Sequence, residues 1–253
     1  MIRLACVLTL IGAVTSPLDA QGRRGGWGDD FEQFNVPYDG SFTFVRIRFV
    51  PLSDFGRGFR RDLKWDHDYP RAERHLATMM EELTTARPNQ IGTNILAADD
   101  PEIFKYPVAY VSEPGFWSVN EDEAEGLRNY LLKGGFLIFD DFQGAQWYNF
   151  EEKIGLVLPD ARLVQLDASH PIFHSFFEIE TLDDFIHPLS RVSSVFYGIF
   201  EDNDPEKRLM VIVNYNNDIG ESWEWSDSGW IPIDITNEAY KLGINYIVYA
   251  MTH

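Results

Sequence analysis

The sequence predicts an α/β protein in which helices cover both faces of a mostly parallel, doubly wound sheet, giving three layers. Short apolar runs of strand length alternate along the chain with segments whose apolar residues recur at helical spacing. Several of these runs carry no polar residue, as expected of strands that are covered on both faces. Ligands of such sheets bind beyond the carboxyl ends of the strands, so the pattern also predicts where a site lies.

The first part of the chain is predicted to contribute three strands and one helix. Residues 41–50 alternate apolar and polar side chains, which indicates a first strand. Residues 70–85 are predicted to form a helix, because a proline suits its first turn and its apolar residues share one side. Those apolar residues are Leu76, Met79, Met80 and Leu83. Further strands are predicted at 91–96 and 108–111.

The clearest helix–turn–strand unit begins at Ser118. Ser118 and Glu121 have the spacing of a capping box, and Gly134 suits the left-handed residue that ends a helix. The apolar face of this helix comprises Ala124, Leu127, Tyr130 and Leu131. The run at 136–139 is then predicted to be a buried strand that ends in a sharp turn at two adjacent aspartates.

The second half is predicted to hold two more helices and two more strands. The helices are predicted at 146–154 and at 237–251, the second being largely apolar and packed on the sheet. The strands are predicted at 195–200 and 209–213, joined by a polar turn at 201–207.

The first twenty residues have the pattern of a secretory signal peptide. Arg3 precedes an apolar core at 4–14, and small residues allow cleavage near Ala20. We therefore expect export into a periplasmic or extracellular space. Residues 21–40, rich in glycine and charge, are expected to form a flexible lead-in, and residues 41–253 a single domain.

Composition narrows the classes of partner and chemistry. The net charge of −19 repels nucleic acid and anionic membranes, whereas it suits solubility, cations, basic partners or neutral polar ligands. We expect a small polar ligand or an envelope protein as partner, and no apolar stretch predicts an integral membrane span. The single cysteine, Cys6, lies in the predicted signal, so the mature chain is expected to lack a thiol nucleophile, a disulfide and a cysteine-based zinc site.

Asp140 and Asp141 are the first candidates for catalytic residues, because they follow a predicted buried strand. Two close carboxylates could bind a divalent metal, or one could act as a base whose pKa the other raises. The alternative is structural, with one residue capping the next helix and the other in solvent. No cofactor is certain from these residues.

The segment Trp65-Asp66-His67 is the second candidate. Asp66, His67 and Asp68 could supply metal ligands or bind a polar ligand, and Trp65 could stack on a sugar. We expect this segment to approach the two aspartates, because such sheets gather their ligand groups at one edge. The alternative is a polar loop in which Asp68 caps the following helix.

The remaining ligand-binding candidates lie in predicted loops or at strand ends. They are Glu113, His170, His174, Asn214, Asn217, Asp218 and Trp223. Each has a structural alternative: the two histidines can mark a helix entry, the Asn and Asp residues a turn, and the tryptophan an apolar cover. A Walker loop, a dinucleotide glycine pattern and a serine elbow are absent from the sequence.

From Phe42 onward the chain resembles the family called domain of unknown function 4159. The segments that carry the resemblance are FTFVRIRF, WDHDYP, RNYLLKGGFLIFDDFQG, HPIFHSF, YNNDIGESWEW and YKLGINYIVYAMTH. That family in turn resembles the class I glutamine-amidotransferase-like group, which has a flavodoxin-like three-layer fold. In that group a glycine pair and a strand lead into a sharp turn that carries the nucleophilic cysteine.

Here Gly134-Gly135 precede the strand, and Asp140-Asp141 stand where that turn is expected. The resemblance therefore implies the fold, while the missing thiol argues against glutamine hydrolysis by the usual route. Two functions stay open: binding of a polar ligand or partner protein in the strand-end cleft, and a non-thiol hydrolase of a polar or carbohydrate-type substrate, assisted by a carboxylate or a metal. A third hypothesis is a purely structural envelope component with a hydrophobic interaction patch.

Overall fold

A seven-stranded sheet forms the middle layer of the chain in the computed structural model, which describes residues 35–52, 62–90 and 93–253. The strands are β1 (Val45–Arg48), β2 (Asn94–Ala97), β3 (Val108–Ser112), β4 (Phe136–Phe142), β5 (Val164–Gln165), β6 (Val195–Phe200) and β7 (Leu209–Tyr215). Their order across the sheet is β2-β1-β3-β4-β7-β6-β5.

Helices pack on both faces of this sheet. They are α1 (Arg71–Leu83), α2 (Glu121–Leu132), α3 (Trp147–Val157), α4 (Ile219–Glu224) and α5 (Ile233–Thr252). One apolar core joins the sheet to α1, α4 and α5, and a second joins the opposite face to α2 and α3. The predicted three-layer α/β fold is therefore confirmed.

The parallel strands set the place of the site. Strands β2, β1, β3, β4 and β7 pair in parallel, whereas β6 and β5 are antiparallel to their neighbours. The chain crosses from one side of β1 to the other between β2 and β3, and this reversal makes the crevice above β1 and β3 the expected binding position.

Two local predictions require correction. The capping box of α2 is formed by Asn120 and Glu123, because the Ser118 hydroxyl donates to the Val50 carbonyl instead. Strand β4 does not end at Phe139: it continues through both aspartates, and the ladder to β7 is irregular between Phe139 and Phe142. Gly134 does adopt the left-handed backbone expected of it, with φ of 110°.

The sequence did not predict α4 or β5, and it placed the ends of several elements a few residues off. The predicted signal peptide and residues 21–34 lie outside the described residues. The end of the predicted lead-in is described, and there Asn35 and Val36 hydrogen-bond to Ile95 and Asn94 of β2. Within the described ranges, none of the helices combines the length and the apolar character that a membrane crossing requires.

Candidate functional site

Acidic side chains from four connections meet at the carboxyl end of the parallel strands. Asp68 lies between β1 and α1, Glu113 directly follows β3, Asp141 is near the end of β4, and Asp218 follows β7. One carboxylate oxygen from each of Asp68, Asp141 and Asp218 lies within 4.8 Å of the other two. We call these three residues the aspartate cluster.

Asp140 and Asp141 are adjacent but lie in different environments, because Asp141 has a left-handed backbone at the irregular point of the ladder to β7. Asp140 is fully buried below α4, whereas Asp141 turns toward β3 and has a side chain that is 15% exposed. The Ser112 hydroxyl donates to Asp141 Oδ2 at 3.3 Å.

The carboxylate of Asp140 is saturated with hydrogen bonds. Its Oδ2 accepts from the Tyr110 hydroxyl at 2.8 Å and from the backbone N–H groups of Ile219 and Gly220 at 2.9 and 3.1 Å. Its Oδ1 accepts from Asn214 Nδ2 at 3.1 Å, and Asn214 Oδ1 in turn accepts from the buried Tyr246 hydroxyl. Asp140 therefore fixes the start of α4 against β3 and β7.

The aspartate cluster lacks such compensation. Asp68 is only 9% exposed, and its Oδ2 is inaccessible to solvent and accepts no hydrogen bond. Asp218 is 5% exposed, and its Oδ1 caps α4 by accepting from Glu221 N at 2.8 Å. Among the described residues, neither Asp68 nor Asp218 has a lysine, arginine or histidine within ion-pair distance.

Burial raises the pKa of each member of the cluster well above its ordinary value. The charge of Asp218 is the largest neighbouring contribution to the raised pKa of both Asp68 and Asp141. The charge of Asp140 is the largest neighbouring contribution to that of Asp218. Burial also raises the pKa of Asp140, although its four hydrogen-bond donors oppose the shift. Ionisation of the cluster is therefore unfavourable without a nearby positive charge, and a bound cation would stabilise the ionised carboxylates.

The backbone around the aspartate cluster is strained. Lys64, Asp68, Glu113 and Asp141 have left-handed φ values of 66°, 65°, 50° and 61°. This conformation is uncommon for residues other than glycine, and strain of this kind costs about 1–3 kcal/mol per residue where it is concentrated, often at binding sites. Four such residues close to the aspartate cluster indicate that the chain maintains this geometry at a cost to stability.

His67 lies at the rim of the cleft between two carboxylates. Its Nδ1 is 3.1 Å from Glu113 Oε1 and 3.9 Å from Asp141 Oδ2, and its Nε2 is 3.0 Å from Asp62 Oδ1. Burial alone would lower the pKa of His67, but Glu113 and Asp62 together outweigh it and raise the pKa. Lys64 is also paired with Asp62 and lies 3.6 Å from Glu113.

Several other predicted residues lie close by but are buried. Asn217 is 4% exposed and its Oδ1 accepts from Asp218 N, so it shapes the turn before α4. Trp65 and Trp223 are 2% and 1% exposed and belong to the two apolar cores, so neither presents a ring to the cleft. Asp66, which is partly exposed, groups with Asp62 and His67 at the rim.

His170 and His174 are not brought to this site. His170 borders a different cavity with Arg208 and His253, at the end of the sheet where β7 begins. Its Nδ1 accepts from Ile172 N, so it starts a short 3₁₀ turn, as the structural alternative predicted. His174 contacts Glu178 and the Ala168 carbonyl, and the pair does not share a helix face.

Sequence reasoning missed three contributors. Asp62 is the second carboxylate on His67, Tyr110 bonds Asp140, and Glu221 approaches Asp68 from the first turn of α4. Asp68 was predicted either as a metal ligand beside Asp66 and His67 or as the cap of the following helix, and the second prediction is wrong, because α1 is preceded by Pro70 without a side-chain cap. Their positions in the sequence were the available signal, because Tyr110 lies in β3 and Glu221 lies in α4, which follows β7. Both elements lead to the sheet edge at which the other candidates were predicted.

Comparison with known proteins identifies the family. Residues 49–251 match the family described as a domain of unknown function, DUF4159, and the chain belongs to this family. No curated protein matches the chain.

Proposed function

We propose that the cleft at the carboxyl ends of β1, β3, β4 and β7 binds a small polar ligand that presents a positive charge. The observation that carries this proposal is the aspartate cluster, in which the buried carboxylates of Asp68 and Asp218 converge on Asp141 and, among the described residues, have no cationic partner within ion-pair distance. Burying unpaired charge is unfavourable, so the carboxylates of the cluster destabilise the protein when no ligand is bound. A cationic ligand removes this cost, and the relief contributes to its binding free energy. A divalent metal belongs to this class of ligand.

A thiol amidotransferase does not fit the same site. We propose that the chain shares the fold of the class I amidotransferase-like proteins that it resembles. The order of the five parallel strands supports this part of the proposal. The strand-end position expected to carry the nucleophilic cysteine holds Asp140 and Asp141 instead. The left-handed backbone of Asp141 resembles the strained turn that presents a nucleophile, but a carboxylate there suits cation binding better.

A binding experiment on the full chain tests the proposal. Isothermal titration would compare methylammonium, putrescine, Mg²⁺ and Ca²⁺ with acetate and phosphate at equal ionic strength. We expect at least one cationic probe to bind and both anions to fail, because the cleft is acidic. Asp141→Asn should weaken cation binding at least tenfold, whereas Asp160→Asn, at an exposed residue after α3, should leave it unchanged. Absence of binding by every cationic probe, or equal binding by Asp141→Asn, contradicts the proposal.

The second candidate function is a non-thiol hydrolase, and the environment of His67 favours it. An imidazole oriented by Glu113 and Asp62 and 3.9 Å from Asp141 has the components of a general acid–base pair. Turnover of 4-nitrophenyl glycosides and esters, with and without Mg²⁺, tests this function. We expect any activity to fall at least a hundredfold in His67→Gln and to persist in His174→Gln, which changes a histidine away from the cleft. Equal activity of the two variants would exclude His67.

We also propose that the chain is exported after removal of its predicted signal peptide. Sequencing the mature N-terminus from an exporting host should start at or near Gln21. Recovery of the full-length chain in membranes would oppose this proposal.

A further inference from the structure

One buried oxygen distinguishes the aspartate cluster from an ordinary acidic surface. Asp68 Oδ2 is shielded from solvent and has no hydrogen-bond donor, although buried polar atoms nearly always have one. It lies directly against Gly220, where a Cβ atom would be only 2.5 Å away. Asp68 Oδ2 is therefore left without a hydrogen-bond donor, and the residue that packs against it, Gly220, has no side chain.

The dimensions of the cluster suit a single small ion. Three oxygens that lie within 4.8 Å of one another share a point within about 2.8 Å of all three, and roughly 2.0–2.6 Å is the usual distance from Mg²⁺ or Ca²⁺ to oxygen ligands. A bare ion needs little room, whereas an organic ammonium brings carbon substituents toward residues that are only 5% and 9% exposed. A movement of less than about 1 Å would bring the three oxygens to these distances, and water would supply the remaining ligands of an ion that takes six or more oxygens.

Charge around the cluster favours a divalent ion. Lys64 and His67 are occupied by Asp62 and Glu113, and the buried Arg46 bonds Glu73. Within ion-pair distance of the cluster, the described residues offer one ionisable nitrogen, His67 Nδ1 at 3.9 Å from Asp141, so up to three formal negative charges face at most one positive charge. Glu221 and Glu224 approach Asp68 from α4 and add to the negative potential.

We infer that Asp68, Asp141 and Asp218 bind one divalent cation that prefers oxygen ligands, of the class of Mg²⁺, Mn²⁺ and Ca²⁺. The inference rests on the proposed function and names its ligand. Carboxylate-only sites select these hard ions over Zn²⁺ or Cu²⁺, which favour nitrogen and sulfur. Asp140 is a positioning residue: by holding the first N–H groups of α4, it sets Asp218 opposite Asp141.

Metal titration of the full chain tests this site. After treatment with EDTA and its removal, native mass spectrometry and calorimetry should find one Mg²⁺, Mn²⁺ or Ca²⁺ per chain. Bound Mn²⁺ should also give a changed electron paramagnetic resonance spectrum. Asp68→Asn and Asp141→Asn should each weaken binding at least tenfold, because each removes one charged ligand. Asp160→Asn, which changes an exposed carboxylate after α3, should leave the affinity within a factor of about three.

The outcomes separate the inference from the proposed function. Binding of methylammonium or putrescine, with no binding of the three metals, overturns the metal site and leaves the proposed function standing. Failure of every cation overturns both. Metal binding that persists in Asp68→Asn and Asp141→Asn overturns the assigned ligands. Circular dichroism of each variant shows whether it is folded, and wild-type stoichiometry and metal selectivity test the site even if one variant does not fold.

Discussion

The two adjacent aspartates of β4 should respond in opposite ways to the same substitution. Asp140→Asn replaces a carboxylate whose four acceptor contacts are filled. Asp141→Asn replaces a carboxylate that accepts one long hydrogen bond and repels its neighbours. The free energies of unfolding of the two variants, measured without metal, should therefore show that the carboxylate of Asp140 stabilises the fold and that the carboxylate of Asp141 destabilises it.

The cost of Asp140→Asn follows from its contacts. The asparagine carbonyl can keep the donors Tyr110, Ile219 and Gly220, but its amide group then faces Asn214 Nδ2, which is also a donor. One lost hydrogen bond and a buried donor without an acceptor cost about 1–3 kcal/mol. Relief of the repulsion with Asp218 offsets part of this, so we expect a net loss of about 2 kcal/mol, or roughly 4–8 °C in Tm.

Asp141→Asn should raise the free energy of unfolding. Asparagine tolerates a left-handed backbone and can still accept from the Ser112 hydroxyl. Because the folded-state pKa of Asp141 is raised, its ionised form destabilises the folded state near neutral pH. The gain should be about 1.4 kcal/mol for each unit by which the folded-state pKa exceeds that of the unfolded chain, counted no further than the pH of the measurement.

Urea denaturation in the presence of EDTA, followed by tryptophan fluorescence and circular dichroism, measures both effects. Asp160→Asn is the matched control, since it removes the same charge from an exposed position, and it should change stability by less than about 0.5 kcal/mol. The reasoning is refuted if Asp140→Asn is as stable as the wild type, or if Asp141→Asn is destabilised by as much as Asp140→Asn.

Three further predictions concern other parts of the molecule. His187 is 4% exposed, burial lowers its pKa, and its Nδ1 accepts from Leu189 N and Ser190 N. The unfolded chain therefore binds a proton more readily, and the stability that neutral His187 contributes is lost as pH falls below about 6.5. His187→Asn keeps a hydrogen-bond acceptor that does not titrate. Between about pH 7.5 and about pH 5.5, the free energy of unfolding of the wild type should fall more than that of His187→Asn, by up to about 1.4 kcal/mol per pH unit. Equal losses in the two proteins, measured by denaturation at both pH values, would contradict this. Gly220→Ala should destabilise the fold by about 1–3 kcal/mol and weaken metal binding, since the new Cβ meets Asp68 Oδ2 at 2.5 Å; wild-type melting and affinity would oppose it. The protein purified without its signal should show no glutaminase activity and no response to iodoacetamide, because Cys6 is its single cysteine; a thiol-sensitive glutaminase rate would disprove the assignment.

The spacing of apolar residues predicted the helices and strands, and hence the layers of the fold, because this spacing is set within each element. The apolar runs of β3, β4, β6 and β7 are local signals, and helices of eleven or more residues show a clear apolar face. Helix α4 was missed because it has six residues and follows an Asn-rich turn. The continuation of β4 through Asp140 and Asp141 was missed because the pairing partners that extend it, such as Tyr215, are distant in sequence.

The site was predicted only in part, for a similar reason. The strand-end rule placed Asp141, Glu113 and Asp218 at one edge and predicted that the segment ending at Asp68 approaches them. It could not show that the carboxylate of Asp68, 150 residues before Asp218, lies against theirs. That contact depends on a left-handed loop whose backbone the residue types do not specify. His170 was grouped with the site because histidine suits many roles, while its location depends on the long connection between β5 and β6.

The contacts of Asn35 with β2 limit how this protein can associate with others. The Asn35 side chain bonds both the N–H and the carbonyl of Ile95, and the Asn94 side chain does the same for Val36. A side-chain amide thus takes the place of an eighth strand at this point of the sheet edge. A foreign strand would have to displace it before pairing, so templated growth from β2, whether into a filament or onto a partner's sheet, is discouraged at its first step.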